Sequence, residues 1–350
     1  MGERYSFCLA LAWTTALIAT PAAAQSPQPG KLESYKDWTI GCDNLGRCEA
    51  VSLMPEGGEW PDNQLAMGVA RDAGPAAGAQ LWVSWGGKGR EAVSFLVDGR
   101  RLALADGDGG EVSLKGARAA RLAVAMARGR TLELKSGGKL LGKPSLAGLA
   151  AALRYMDARQ GRAGTTDALV AAGALGASAV RAAPPPVRIR RAAIPSGPAP
   201  APLWREELAA LGAFTKCADD MRDASPPELH RLSKSETLIL VPCGAGAYNY
   251  SSVPVIATGI AGRRSFRLAS FDYPPGWSGD PRQPTLVNAG WSAESATLQS
   301  YAKGRGIGDC GGGESYVWDG ARFRLSEATA MGECRGSWRW IRTWSAQVVD

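Results

Sequence analysis

KGRGIGDCGGGESYVWDGARFRLSEATAMGEC, Lys303 to Cys334, combines glycines, two half-cystines and a Trp-Asp-Gly turn, and its reading decides the fold. Tyr316 and Trp318 on one side of Asp319-Gly320, and Phe323 and Leu325 on the other, alternate as two short strands around a tight turn do. Asp-Gly suits the positive φ that a type I′ turn requires. The same grammar recurs in Phe95-Leu96-Val97-Asp98-Gly99-Arg100-Arg101-Leu102, which predicts a second hairpin and does not require a duplication.

Working outward to the start of the chain, Arg4 precedes an apolar run from Phe7 to Ala19, and Pro21 to Gln25 supplies small residues of the kind a signal peptidase reads. Residues 1–24 are therefore expected to be a signal peptide cut after Ala24. The run is shorter than the roughly 20 residues a spanning helix needs, and no later segment is apolar enough to serve as a transmembrane anchor. A periplasmic or secreted protein is the expectation.

Export changes the meaning of the cysteines, because an oxidising compartment lets pairs persist. Of the seven cysteines, Cys8 belongs to the leader. A proline-rich stretch separates Cys42 and Cys48 from Cys217, Cys243, Cys310 and Cys334, which favours Cys42–Cys48. Among the three pairings open to the other four, the nearest in sequence, Cys217–Cys243 and Cys310–Cys334, are preferred. Zinc is a poor fit, since no Cys-x-x-Cys occurs and the chain has one histidine. No metal and no cofactor are expected.

The chain of 350 residues exceeds one core of typical size, so two domains are expected. An N-terminal β-rich domain, residues 31–176, would end in helices, and a C-terminal β-rich domain would occupy 203–350. Between them, residues 183–202 hold seven prolines with Arg188, Arg190 and Arg191, a composition that resists helix and reads as a linker. Val187–Arg190 could still add an edge strand to either domain.

In the first domain, strands are predicted near Tyr35–Cys42, Cys48–Leu53, Gln80–Trp85, Ala92–Val97, Arg101–Leu104, Glu111–Leu114, Arg121–Met126 and Thr131–Lys135. A helix capped by Ser145 would carry Leu149, Leu153 and Met156, and a shorter one would start at Thr165 or Thr166. The second domain opens with a helix lined by Trp204, Leu208 and Leu211. A helix start at Pro226-Pro227 follows, and then strands near 237–241, 247–250, 254–258, 265–271, 285–291, 296–302 and 338–344. The fold class is thus mainly β with a few helices: two disulfide-stapled antiparallel domains, sandwich- or barrel-like, joined by a Pro-rich linker.

Four separated motifs carry a family resemblance. They are Asp37-Trp38 with Cys42 and Cys48, the run Ala151 to Arg162, Cys243 to Asn249, and Gly304 to Gly311 with Trp318-Asp319-Gly320. Together they resemble exported proteobacterial proteins of the domain of unknown function family 1176, over nearly the whole mature chain. The first half is also similar to invasion-associated locus B proteins through its Asp-Trp…Cys opening. The first resemblance implies a periplasmic or secreted protein and brings no catalytic residues. The second would imply a host-interaction or envelope role.

The chemistry the chain lacks narrows its function. A nucleophilic triad needs a histidine to move the proton. His230 is the single candidate, it is expected on a short surface helix, and no Gly-x-Ser-x-Gly elbow is present. Asp309, Glu314 and Asp319 could in principle supply acid and base for glycoside hydrolysis, although Asp309 and Asp319 also read as turn residues. Gly304-Arg305-Gly306-Ile307-Gly308 has no following helix to cradle a phosphate, and Asp106 to Glu111 lacks the ligand spacing of a calcium loop. Of the twelve tryptophans, eleven remain once Trp13 is assigned to the leader; some belong to the core, and Trp277 in a Pro/Gly loop either plugs the end of a sandwich or stacks on a ligand, with Trp318 a further aromatic candidate and Arg305 a basic one.

The net charge of +7 favours anionic partners. The expected role is therefore exported, non-enzymatic binding or envelope association, with an anionic envelope component or an envelope protein as partner and no nucleic acid. The alternatives are a histidine-independent hydrolase of wall glycan or peptide and a docking module for another exported protein.

Overall fold

The computed structural model describes residues 26–58, 65–223, 225–276 and 282–350; the expected leader and Trp277 lie outside the described residues. Ten strands form the first sheet: β1 (Leu32–Tyr35), β2 (Trp38–Cys42), β3 (Cys48–Ser52), β4 (Ala66–Arg71), β5 (Ala79–Ser84), β6 (Arg90–Val97), β7 (Arg100–Asp108), β8 (Glu111–Lys115), β9 (Leu132–Ser136) and β10 (Lys139–Gly142). Their order is β1-β2-β3-β4-β5-β8-β7-β6-β9-β10, antiparallel throughout. At the β6–β7 turn, Asp98 and Gly99 both have positive φ, 49° and 78°, as a type I′ hairpin requires.

Two helices, α1 (Gly116–Arg128) and α2 (Leu149–Arg159), share the core of this sheet. The strand expected at Arg121–Met126 is instead part of α1. Leu122, Val124 and Met126 do alternate, but the buried set is Ala119, Leu122, Ala123 and Met126, which is helical spacing, and alanine favours helix. Helix α2 starts three residues beyond the expected Ser145 cap. Its cap is Gly148 at φ +96°, where a Cβ would lie 1.7 Å from the Tyr35 carbonyl oxygen. Trp38 is fully buried here and donates its indole N–H to the Ser145 carbonyl at 2.9 Å. Burying such a ring contributes about 4–6 kcal/mol as an upper estimate.

The Ala151–Arg162 motif continues from α2 into a buried polar network. Asp157, with no solvent exposure, accepts the N–H groups of Leu169, Val170 and Ala171 at 3.0, 2.8 and 3.0 Å. Those bonds replace the short helix expected after Thr165, because a buried carboxylate takes the amides that a helix would use. Gln160 donates to the carbonyls of Gly46 and Arg71, and fully buried Arg162 donates to Gly74 and to the Asp167 carboxylate. These residues are architectural.

Beyond β11 (Val187–Arg190), α3 (Arg205–Thr215) and α4 (Asp220–Asp223), a second sheet is built from β12 (Glu228–Arg231), β13 (Glu236–Ala245), β14 (Tyr250–Thr258) and β15 (Ser265–Leu268), with β16 (Leu286–Val287) added to β14. The segment after Pro226-Pro227, expected as a helix, is the edge strand β12. Consecutive prolines hold the chain extended, and Leu229 pairs with Ile239. Residues 247–249, expected as strand, form the turn between β13 and β14.

The third sheet is a meander of β17 (Gly290–Ser292), β18 (Thr297–Lys303), β19 (Gly311–Trp318), β20 (Phe323–Met331) and β21 (Ile341–Val349), with β11 parallel to β21 at its edge. The Trp-Asp-Gly turn between β19 and β20 spans four residues. Gly320 alone of Asp319-Gly320 has positive φ, and the Asp319 carboxylate accepts the N–H groups of Ala321 and Arg322, both at 2.9 Å. Disulfides join Cys42–Cys48, Cys217–Cys243 and Cys310–Cys334, as preferred from spacing. The protein is mainly β, and none of its sheets closes into a barrel.

The two halves of the chain meet along β2–β5 and β19–β21. Val51, Leu53, Ala66 and Trp82 pack there with Cys310, Met331 and Ile341 in one buried cluster. Polar bonds rim it: Arg342 pairs with Asp43 at 2.8 Å, Arg335 with Asp37 at 2.5 Å, and the Asn44 amide exchanges two bonds with the Ser345 backbone at 3.0 and 2.8 Å.

Candidate functional site

Each candidate residue has a definite place. Asp309 is fully buried and receives Arg305 Nε and Nη2 at 2.7 and 2.5 Å and the Gly336 N–H at 2.8 Å. Burial alone would raise its pKa, but the guanidinium and the amide outweigh that and hold it below its ordinary value. Arg305 and Asp309 thus clamp the glycine loop 304–308 to the loop after Cys334. No helix follows the glycines, because β19 begins at once.

Glu314, on β19, is a different carboxylate. Burial pushes its pKa up to about 7 against the opposing Gly276 N–H, and its Oε2 has no partner among the described residues. The Tyr316 hydroxyl, two residues on, is also buried and has no partner among the described residues; its own pKa is raised by burial and then by the Glu314 charge. Asp309 and Glu314 are not bonded to each other, and their pKa values are shifted in opposite directions. Trp318 is 1% exposed and packs on Phe323 with centroids 5.0 Å apart, inside the core of the third sheet. His230 lies on β12, 3.1 Å from the Glu228 carboxylate.

A tryptophan-lined cleft of about 300 Å³ opens at the seam between the halves. Trp82, Ser84 and Trp85 come from the end of β5, Ala66 from β4, and Trp338 and Arg339 from the loop between Cys334 and β21. The Trp82 ring lies flat on the sheet because Gly68 is beneath it: a Cβ at position 68 would sit 2.5 Å from the ring. Its indole N–H donates to Glu49 at 2.7 Å, and the Arg339 guanidinium covers its outer side at 4.2 Å. Arg339 also meets Glu111 at 3.2 Å in an exposed pair, weak enough to exchange for a ligand. Trp338 is 37% exposed and donates its indole N–H to the Ile307 carbonyl at 3.1 Å, so the glycine loop props the cleft's outer wall.

Sequence reasoning placed Trp338, Trp340 and Trp344 on one strand. In the structure β21 begins at Ile341, which leaves Trp338 and Arg339 in the loop. The spacing Trp82-Val83-Ser84-Trp85 before Gly86-Gly87 was a usable sign of clustered rings, whereas its meeting with Trp338 was not.

A larger depression of about 710 Å³ lies beside Cys217–Cys243 and includes Asp219, Asp220, Glu228, Ser251 and Ser252. Cys217, Cys243 and Asp220 have the spacing of a metal site. The two sulfurs are bonded to each other, however, and only the carboxylate remains as a donor. Among the described residues, no helix is long and apolar enough to cross a membrane.

A family model described as protein of unknown function (DUF1176) matches residues 32–347. The uncharacterized protein YpfG of Escherichia coli strain K12 is 28% identical over 361 residues, an alignment that covers 97% of this chain and 96% of that protein. The crystal structure of invasion associated protein B from Bartonella henselae aligns at 20% identity, covering 37% of this chain and 99% of that one. Its TM-score is 0.28, and a likeness of that size carries no argument about this chain.

Proposed function

This chain belongs to the DUF1176 family, and from that premise we propose that it is an exported, non-enzymatic binding protein whose ligand is a sugar ring carrying a carboxylate, held in the cleft at the seam. The observation that supports this is the convergence of Trp82, Trp85, Trp338 and Arg339 from opposite ends of the chain onto one cleft. The exposed Trp338 indole can stack on a sugar ring over a floor made by the buried Trp82 and Trp85, and the Arg339 guanidinium can receive a carboxylate in a bidentate fork. A volume of about 300 Å³ is at the small end of ligand pockets and suits one or two rings. The three disulfides fit an oxidising compartment, and the basic balance fits an acidic wall component.

The test is calorimetric titration with N-acetylmuramic acid, with N-acetylglucosamine as the neutral control. Saturable binding of the acidic sugar is expected, at least tenfold weaker in Trp338→Ala and in Arg339→Ala. No saturable binding, or binding indifferent to both substitutions, would refute the reading.

One observation favours a second reading. Burial pushes the Glu314 pKa up to about 7, and one of its oxygens has no partner among the described residues, as suits a general acid for wall hydrolysis. Loss of turbidity of purified peptidoglycan, abolished by Glu314→Gln, would establish the hydrolase and remove the binding-only reading.

A further inference from the structure

A second surface, away from the cleft, holds apolar groups out into water on a rigid base. The base is Glu207, 5% exposed, in the first turn of α3. Its carboxylate accepts the Trp204 N–H at 2.9 Å, the Gly262 N–H at 2.9 Å and the Arg264 N–H at 3.2 Å, and pairs with Arg264 Nη1 at 2.9 Å. Arg264 also donates to the carbonyls of Ala201 and Pro202. One buried ion pair therefore fastens the start of α3 to the loop between β14 and β15. The Trp204 ring lies against that loop, with its edge 2.6 Å from where a Gly262 Cβ would stand.

On this base Ile260 is 73% exposed and Trp204 58% exposed, the highest exposures of any large hydrophobic residue and of any tryptophan among the described residues. Arg205 and Arg263, the neighbours of these two residues in sequence, are exposed, and neither pairs with a carboxylate among the described residues. Glu206 is the nearest acidic neighbour in sequence, one residue past Arg205 and so about 100° further round the helix.

We propose that this tip docks the protein on an anionic lipid surface, with Trp204 and Ile260 entering the boundary between headgroups and acyl chains while Arg205 and Arg263 meet lipid phosphates. Tryptophan is suited to that boundary because its ring is apolar and its N–H is polar. The cations and the lipid charge are complementary, each arginine adding attraction that salt screens. Two side chains and two cations give reversible attachment rather than insertion. The cleft at the seam is built from other residues, so the two sites can fail independently.

The full chain is sedimented with vesicles of phosphatidylglycerol and phosphatidylethanolamine, and with vesicles of phosphatidylcholine alone. Binding to the anionic vesicles is expected at low salt, with loss at high salt and little binding to the neutral ones. Trp204→Ser and Ile260→Ser should each weaken it by roughly tenfold or more, and the charge reversals Arg205→Glu and Arg263→Glu should weaken it further. Both apolar positions are exposed, so unchanged urea midpoints are expected to confirm that the variants fold. Lipids brominated on their acyl chains should quench the wild-type fluorescence and leave Trp204→Phe nearly unaffected. Absence of vesicle binding, binding indifferent to lipid charge, or quenching that survives Trp204→Phe would overturn the proposal. A site that instead captured soluble glycerol phosphate with equal affinity would overturn it in favour of a free phosphate ligand.

Discussion

Replacing Glu314 by glutamine should make the protein more stable in mild alkali and leave it nearly unchanged in acid. The side chain is 9% exposed, one oxygen is beside the Gly276 N–H, and the other has no partner among the described residues. Burial outweighs the one N–H beside it, and no cation among the described residues forms an ion pair with Glu314. An ordinary glutamate value of 4.5 in the unfolded chain and a value of about 7 in the folded one mean that the folded state binds more protons between those limits. Stability from this group is therefore complete below pH 4.5 and falls as pH rises through 7. At 1.36 kcal/mol per pH unit, the loss between pH 4.5 and 8 comes to about 3 kcal/mol. Glutamine keeps an acceptor for Gly276 and cannot ionise. Urea unfolding of both proteins with disulfides intact, at intervals from pH 4.5 to 8, should show a stability difference that moves by about that amount in favour of the variant. A difference independent of pH would show that Glu314 is solvated or paired in the folded protein and would refute the reasoning.

Removing Cys310–Cys334, whose half-cystines are 24 residues apart, should cost about 3.5 kcal/mol from loop closure, against about 2.4 for Cys42–Cys48 at a separation of 6; melting of the paired Cys→Ser variants would check the order. Asp157→Ala leaves the amides of Leu169, Val170 and Ala171 unpaired in a buried site, a loss on the order of 3 kcal/mol or more that should also speed hydrogen exchange at those three amides. Gly68→Ala drives a methyl into the Trp82 ring and should cost about 1–3 kcal/mol while weakening binding in the cleft, seen as parallel changes in the urea midpoint and the calorimetric affinity.

Much of the fold could be read locally. Alternation located the strands that have one face in a core, such as β7 and β8, while β2, β3 and β4 are buried on both faces, and the cysteines paired with their nearest neighbours in sequence once the proline stretch divided them. The misreadings occurred where two periods coexist or where a distant group decides. Leu122, Val124 and Met126 alternate, yet the buried face is Ala119, Leu122, Ala123 and Met126, at helical spacing. The amides after Thr165 would have supported a helix had Asp157 not taken them. Asp309 was legible as a residue that fixes a loop, and Arg305 as a cation close to it. That Glu314 is orphaned follows from the packing of Gly276 and Tyr316 around it, which no spacing in the sequence encodes. The cleft was least legible, because Trp82 and Trp338 are 256 positions apart and the glycine that lets Trp82 lie flat has no signature of its own.

The seam gives that separation a physical consequence. Neither wall of the cleft is complete without the other half of the chain: β5 and the residue after it supply Trp82 and Trp85, and the loop before β21 supplies Trp338 and Arg339. That loop is itself held by the Cys310–Cys334 disulfide, by Asp309 on Gly336 and by Arg335 on Asp37. A ligand in the cleft therefore binds the joined arrangement and not a chain whose halves have parted, and by mass action it stabilises the joint by an amount that grows with its concentration over its dissociation constant. The reciprocal follows: whatever loosens Arg342 from Asp43 or Asn44 from Ser345 lowers the fraction of molecules able to bind, without touching the cleft. On the proposed reading, substitutions at the joint and in the cleft therefore act on one binding equilibrium, although the joint residues do not line the cleft.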